Sequence, residues 1–307
     1  MCQLYGFSFP EDLFAFWEFA KRVRPLEPAH ALADTLDVHL VGPFDVLAGR
    51  VDQSVPSLPM TLHWRYYDDP PEFFTLLKRG EGGLHWGYYL DEPGVPPGSI
   101  ASYHTDAAFE ISADADDLFE VVRLDLERHY RDCEELRQED PIRVHDYEQR
   151  LREMDDLRAR LARSATADRP ETGEAYEERY PERSARTARV IARTSDGAGI
   201  VAPAEKYRPL KLTNKRLWQR LKKDEDPVDL VAEAWKALQE GYPATALKLG
   251  KDLWAIGGER RRNYAHQLLD AAYGALGRDV LRDILRAHRD HHGRRSVDIL
   301  EPQAGED

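Results

Sequence analysis

The sequence predicts an α+β chain: an N-terminal α/β domain on a twisted, mainly antiparallel sheet, then an all-helical C-terminal domain. Three observations lead there. Residues 40–49 (LVGPFDVLAG), 61–67 (TLHWRYY) and 83–90 (GLHWGYYL) are short aromatic or β-branched runs bounded by Gly, Pro and Asp, as strands are. Residues 226–257 show helix starts, apolar stripes and glycine stops in succession, the grammar of paired helices. Between these halves, residues 141–194 are dense in charge and poor in large apolar groups. The chain therefore divides into residues 1–140, a charged segment 141–195 and residues 196–307.

Taken in order, Phe9-Pro10-Glu11-Asp12 opens a helix: proline suits the first turn, and two acids there meet the positive end of the helix dipole. Phe14, Trp17, Phe19 and Ala20 form its expected apolar face, and Arg24-Pro25 its stop. The three strand-like runs follow. Their Trp64/Tyr66 and Trp86/Tyr88 sets could form a ligand box, but aromatics at strand spacing read first as core. Ser112 or Asp114 is the expected cap of a helix with Leu118, Val121, Val122 and Leu126 on one face. Tyr147–Leu161 reads as an amphipathic helix, and residues 164–188 as a mobile linker too polar to bury. Beyond it, Asp226 caps a helix with Pro227 in its first turn and Leu230, Ala234, Trp235 and Leu238 as its stripe. Gly241 stops it, Pro243 starts the next, and two further helices meet near Gly277.

Composition limits the function. The chain has 307 residues and a formal charge of −13, so phosphate backbones are repelled unless a local basic face overrides the total. Direct nucleic-acid binding is not expected. No apolar run is long enough for a membrane span, and no signal-peptide pattern opens the chain. Two cysteines, Cys2 and Cys133, exclude a disulfide framework or a cysteine zinc site, which suits a cytoplasmic, reduced setting.

Few motifs carry chemistry. GAGIVA (197–202) matches a relaxed dinucleotide pattern, but it leads into a strand instead of opening a helix, so a glycine turn explains it. His288, His291 and His292 have helical spacing without a zincin partner motif, and a helix end accounts for them. Asp114, Asp116 and Asp117 lack the full calcium-loop pattern. The stretch 258–295 carries nine Arg against five acids and reads as a solvated helical face or an acidic-partner contact. Glu240 is less ordinary. A carboxylate closing a helix faces the negative end of the dipole, where its ionised form is disfavoured, and that suits a general base as well as a tolerated surface charge. Tyr207-Arg208 reads as a surface pair or as an interface anchor.

The segments FPEDLFAFWEF (9–19), LVGPFDVLAG (40–49), LHWRYYDDPPEF (62–73), HWGYYLDEPGVPP (85–97), DGAGIVAP (196–203), Tyr207-Arg208 and LKLGKDLWAIG (247–257) resemble, in collinear order, the histone PARylation factor family. The resemblance spans almost the whole chain and implies the same order of an α/β and an all-helical domain. It also implies a role: family members bind the catalytic domain of a poly(ADP-ribose) polymerase (PARP)-type ADP-ribosyltransferase and lend one glutamate to a joint active site, redirecting modification to serines of protein substrates. Glu240 stands where that glutamate stands, because the match runs without a gap into LKLGKDLWAIG. Tyr207 and Arg208 match the docking pair. Gln239 replaces the aspartate that precedes the glutamate in animal members and adds to docking. By the same resemblance this chain binds no cofactor alone, and NAD sits in the partner. Arg outnumbers Lys by 33 to 10, and no lysine-rich nuclear-import cluster is seen, which suggests a GC-rich, bacterial genome. The alternatives are a non-catalytic binding module or inhibitor of a transferase, and an independent ADP-ribose enzyme, against which the missing NAD-cradling motif counts.

Overall fold

Pro10 sets the N-cap of the first long helix, and the chain winds from Glu11 to Val23 with its buried side toward a sheet. The computed structural model describes residues 1–53, 56, 58–105, 111–164, 186–223, 225–294 and 296–301. The N-terminal half holds α1 (Cys2–Tyr5), α2 (Glu11–Val23), α3 (Ala33–Leu36), α4 (Pro43–Leu47), α5 (Arg50–Gln53), α6 (Leu118–Glu139) and α7 (Val144–Ala162). Its strands are β1 (Val38–Leu40), β2 (Phe73–Arg79), β3 (Leu84–Tyr89), β4 (Ile100–His104) and β5 (Ser112–Ala115), which pair in sequence order, all antiparallel. A two-stranded ribbon, β6 (Val190–Ala192) with β7 (Ile200–Val201), leads to α8 (Asn214–Lys222), α9 (Val228–Gln239), α10 (Pro243–Ile256), α11 (Glu259–Ala275) and α12 (Asp279–Asp290). The α+β class expected from the sequence is the one observed. No described helix is long and apolar enough to cross a membrane.

The two faces of the sheet serve different neighbours, as the period-two alternation of strands requires. Phe74, Leu76, Trp86 and Tyr88 join the main core with Leu13, Phe16 and Phe19 of α2 and Phe119 and Val122 of α6. Phe73, Tyr89, Ala101 and Tyr103 form a second cluster with Ile111 and Ala198. Gly87 is needed in β3 because a Cβ there would stand 2.1 Å from the Phe74 carbonyl oxygen. The main core continues into the helical half through Leu230, Ala234, Leu249, Leu253 and Leu268, so one apolar interior serves both halves.

Several local expectations need correction. Only the start of LVGPFDVLAG pairs as strand; Gly42 and Pro43 then open α4, with the Asp45 carboxylate accepting from the Gly42 N–H, a proline-started cap that wins over strand propensity. TLHWRYY is no strand: Met60–Leu62 is a 3₁₀ turn and the rest is irregular, tied by side-chain bonds to Asp45. Phe14 is exposed, and Leu13 and Phe16 take the core positions of α2. Asp117, not Ser112 or Asp114, caps α6, because Ser112–Ala115 extends the sheet as β5. Asp226 accepts from the Val228 N–H as expected, although Pro227 occupies the cap position of α9. Helix α7 buries Tyr147, Leu151, Met154, Leu157 and Leu161 and is joined to α6 by Arg158–Glu127. Of the expected linker 164–188, residues 165–185 lie outside the described residues.

The segment LHWRYYDDPPEF locks the two halves together. Trp254 of α10 donates to the Asp68 carbonyl at 2.9 Å, Arg262 of α11 reaches the Asp68 carboxylate at 2.6 Å, and the Tyr273 hydroxyl donates to Glu72 at 2.8 Å. Arg294 donates to the carbonyls of Leu62 and Arg65, and the Trp64 N–H to that of Val297. Lys251, buried in the middle of α10, is bonded to the Tyr89 hydroxyl and lies 3.8 Å from both Glu72 and Asp196. This seam fixes the register of α10 against the sheet, and α10 begins at the turn that carries Glu240.

Candidate site at the turn between α9 and α10

Helix α9 ends at Gln239, and Glu240 is its C-cap. Gly241 follows at φ 91°, a left-handed position that glycine fills without a Cβ penalty. The Gly241 N–H donates to the Leu238 carbonyl and the Tyr242 N–H to that of Ala237, so the turn is closed before Pro243 starts α10. Glu240 is thus held on a rigid corner with its side chain 41% exposed. Gln239, in the last turn of α9, is exposed beside it.

Two cations face the carboxylate that closes α9. Arg208 Nη1 lies 2.5 Å from Glu240 Oε2, and Lys236, one turn earlier on α9, has Nζ 3.9 Å from Oε1. The charge that the helix end disfavours is matched by both. Arg208 is itself positioned from two sides. Its guanidinium stacks over the Tyr242 ring with 4.6 Å to the centroid. Its backbone is clamped by Thr245 in the first turn of α10: the Arg208 N–H donates to Thr245 Oγ1 at 3.0 Å, and that hydroxyl donates to the Arg208 carbonyl at 2.6 Å. Thr245 is buried, which shields its end of both bonds from water. Tyr207 is half-buried, its hydroxyl pushed up by burial and then by the nearby Asp252 carboxylate. Asp252 in turn accepts from Trp218 of α8, from the Ser195 N–H and from Lys248.

Arg208 and Glu240 are therefore brought together, with Gln239 on the same corner. Lys236, Tyr242 and Thr245 complete the site, and sequence reasoning did not single them out. Lys236 could have been found from its i,i+4 spacing to Glu240. Thr245 gives no local signal, because its two bonds reach back 37 residues. Thr245→Val should leave the Arg208 N–H and carbonyl without their buried partner and cost about 1–3 kcal/mol, while Thr245→Ser keeps most of the stability. Denaturant unfolding of both variants checks this.

The other candidates resolve differently. Gly197 and Gly199 sit at φ 80° and 68° in a turn, and β7 follows. The amides of that turn are already used: the Ala198 N–H donates to Asp196 and the Gly199 N–H to the Thr194 hydroxyl, so an acidic side chain stands where a pyrophosphate would need free donors. His288 is buried against Trp254, and His292 packs on Tyr67 beside Arg262. Among the described residues no His, Cys, Asp or Glu group has metal-holding geometry. Each described arginine of 258–295 has an internal partner; Arg282 and Arg286, for instance, share Asp270.

A sequence model of the family described as Histone PARylation factor 1 matches residues 1–292. This chain belongs to that family. Histone PARylation factor 1 of Mus musculus is 30% identical over 317 residues, covering 97% of this chain and 87% of that protein. The Bos taurus protein of the same name is 29% identical, over 96% and 87% of the two chains, and that of Danio rerio 28% identical over 97% and 86%.

Proposed function

We propose that this chain is an accessory factor of ADP-ribosylation that binds the catalytic domain of a PARP-type transferase and donates Glu240 as general base to a joint active site, directing modification to serine. The observation that carries this reading is the placement of Glu240: a carboxylate on a closed, rigid corner, half-exposed, beside the Tyr207-Arg208 docking pair. In the joint site the serine oxygen forms a bond to the anomeric carbon of the ribose, nicotinamide leaves, and the hydroxyl proton passes to Glu240. A serine hydroxyl needs such a base, and a positioned carboxylate supplies about 10² to 10⁴ in rate. An acidic acceptor is already ionised, so a transferase without the base would favour Asp and Glu. NAD and the developing sugar cation stay with the partner. Arg208, which covers Glu240 in the free chain, would exchange that contact for the partner on docking and leave the carboxylate open.

The test is acceptor mapping. A PARP-type catalytic domain incubated with NAD and substrate protein is expected to modify mainly carboxylates alone and serines once this chain is added. The chain alone should leave labelled NAD intact. NAD turnover by the purified chain, or no change in acceptor residues, would overturn the reading.

A further inference from the structure

The basic charge of this acidic chain is concentrated beside the candidate site. Residues 204–223 hold eight Lys or Arg against one acid, net +7, which leaves the rest of the chain at −20. Six of the ten lysines lie between Lys206 and Lys236. On α8 the spacing is helical and one-sided: Lys215, Arg216, Lys222 and Lys223 are exposed, whereas Leu217 and Leu221 are buried and Trp218 is anchored to Asp252. Lys206 and Lys211 are exposed on the segment that leads into α8 and flank Tyr207-Arg208. Three of the neighbouring acids are engaged elsewhere: Asp229 and Glu225 hold Arg220, and Asp226 holds Arg260. None of these six exposed cations has an ion-pair partner among the described residues, whereas each described arginine of 258–295 has a carboxylate or carbonyl partner.

We infer that the face made by Lys206, Lys211 and the outer side of α8 is a cationic rim of the docking surface, fitted to an acidic protein surface on the partner that engages Tyr207 and Arg208. This rests on the accessory-factor reading for the partner's identity. Continuity is the first argument, since rim and docking pair lie on one stretch of chain. Scale is the second. Helix α8 is nine residues, about 13 Å long. A nucleic-acid duplex, with a charge every ~1.7 Å, would run past so short a stripe onto a strongly acidic remainder. A protein patch can match the stripe and end with it. Exposed rim charges act mainly on the rate of encounter, because they steer the partner and remain hydrated afterwards.

The experiment measures association and dissociation of the full-length chain with a PARP-type catalytic domain at low and high salt. It compares the wild type with the reversed variant Lys215→Glu/Arg216→Glu/Lys222→Glu/Lys223→Glu and with its all-Gln counterpart. Association of the reversed variant should be at least about tenfold slower at low salt, with dissociation changed less than about threefold. The Gln variant should fall between, and all three should converge at ~1 M salt, where screening reaches ~3 Å. Equal association rates would make the face merely solvated. Wild-type binding to a ~20-bp duplex that the reversed variant loses would assign it to nucleic acid and overturn the proposal. Absence of any wild-type binding to the transferase would sink the accessory-factor reading itself, an outcome distinct from wild-type binding that the variants leave unchanged.

Discussion

Glu240→Gln is expected to lower serine modification by at least two orders of magnitude while leaving the affinity for the transferase near that of the wild type. The substitution leaves the backbone cap of α9 in place, keeps the shape of the side chain and removes its basicity, which is where about 10² to 10⁴ in rate resides. It also breaks the charge pairing with Arg208, at a site where the Glu240 side chain is 41% and Arg208 42% exposed, so the folded chain should lose little. Arg208→Ala separates the other role. Removal of the guanidinium and its stacking on Tyr242 should weaken docking by about 2 kcal/mol or more, as truncated anchors do. A binding titration paired with mass-spectrometric mapping of acceptors distinguishes the two. Wild-type serine transfer by Glu240→Gln would exclude Glu240 as the base and make the chain a docking module.

The corner that carries Glu240 was legible because its signals are local. Pro227, Gly241 and Pro243 mark starts and stops that no tertiary contact needs to supply, and the helices fall where they place them. The arrangement around Glu240 was legible only in part. Arg208 read as a surface or interface residue and, by resemblance, as a docking residue, but its pairing with Glu240 and its clamp by Thr245 exist only after α10 folds back on the chain. The error at residues 61–67 has a tertiary cause. TLHWRYY alternates like a strand, yet its polar atoms serve contacts distant in sequence: Arg294 holds the backbone after Leu62 and Arg65, and Asp45 takes the side chains of His63 and Trp64. Local pattern cannot show such demands. Charge shows the same limit. The arginine-rich 258–295 looked like the basic face, but internal partners absorb it, whereas the six exposed cations around α8 have no such partners among the described residues.

Acidification through the histidine range should destabilise this protein before its paired carboxylates respond. His266 and His288 flank Trp254 at 5.2 and 5.6 Å between ring centroids, and both are buried. Burial, reinforced by Arg289 and Arg262, holds His266 down to about 4. Burial, with Arg65 and Arg294 nearby, holds His288 well below its usual value. An unfolded chain protonates both near pH ~6.5. Between ~6.5 and 4 the unfolded state therefore binds protons that the folded state refuses, so stability is full above this window and falls as pH drops through it. His266 should cost about 2 kcal/mol by pH ~5, and His288 adds to the loss in the same direction. Asp45, kept low against burial by His63 and Arg50, and Asp270, kept low against burial by Arg282 and Arg286, lose their contribution only further down, as pH falls through the carboxylate range. Asp12 and Asp252, raised by burial, act in the opposite sense, so a variant is needed to isolate the histidines. His266→Leu removes a ring whose Nδ1 has no hydrogen-bond partner, so it should cost little near pH ~7.5 and be about 2 kcal/mol less sensitive to acidification to pH ~5 than the wild type. Urea unfolding of wild type and variant at both pH values reads this directly, and a variant that loses as much stability between them as the wild type would show that His266 is not held neutral by the fold.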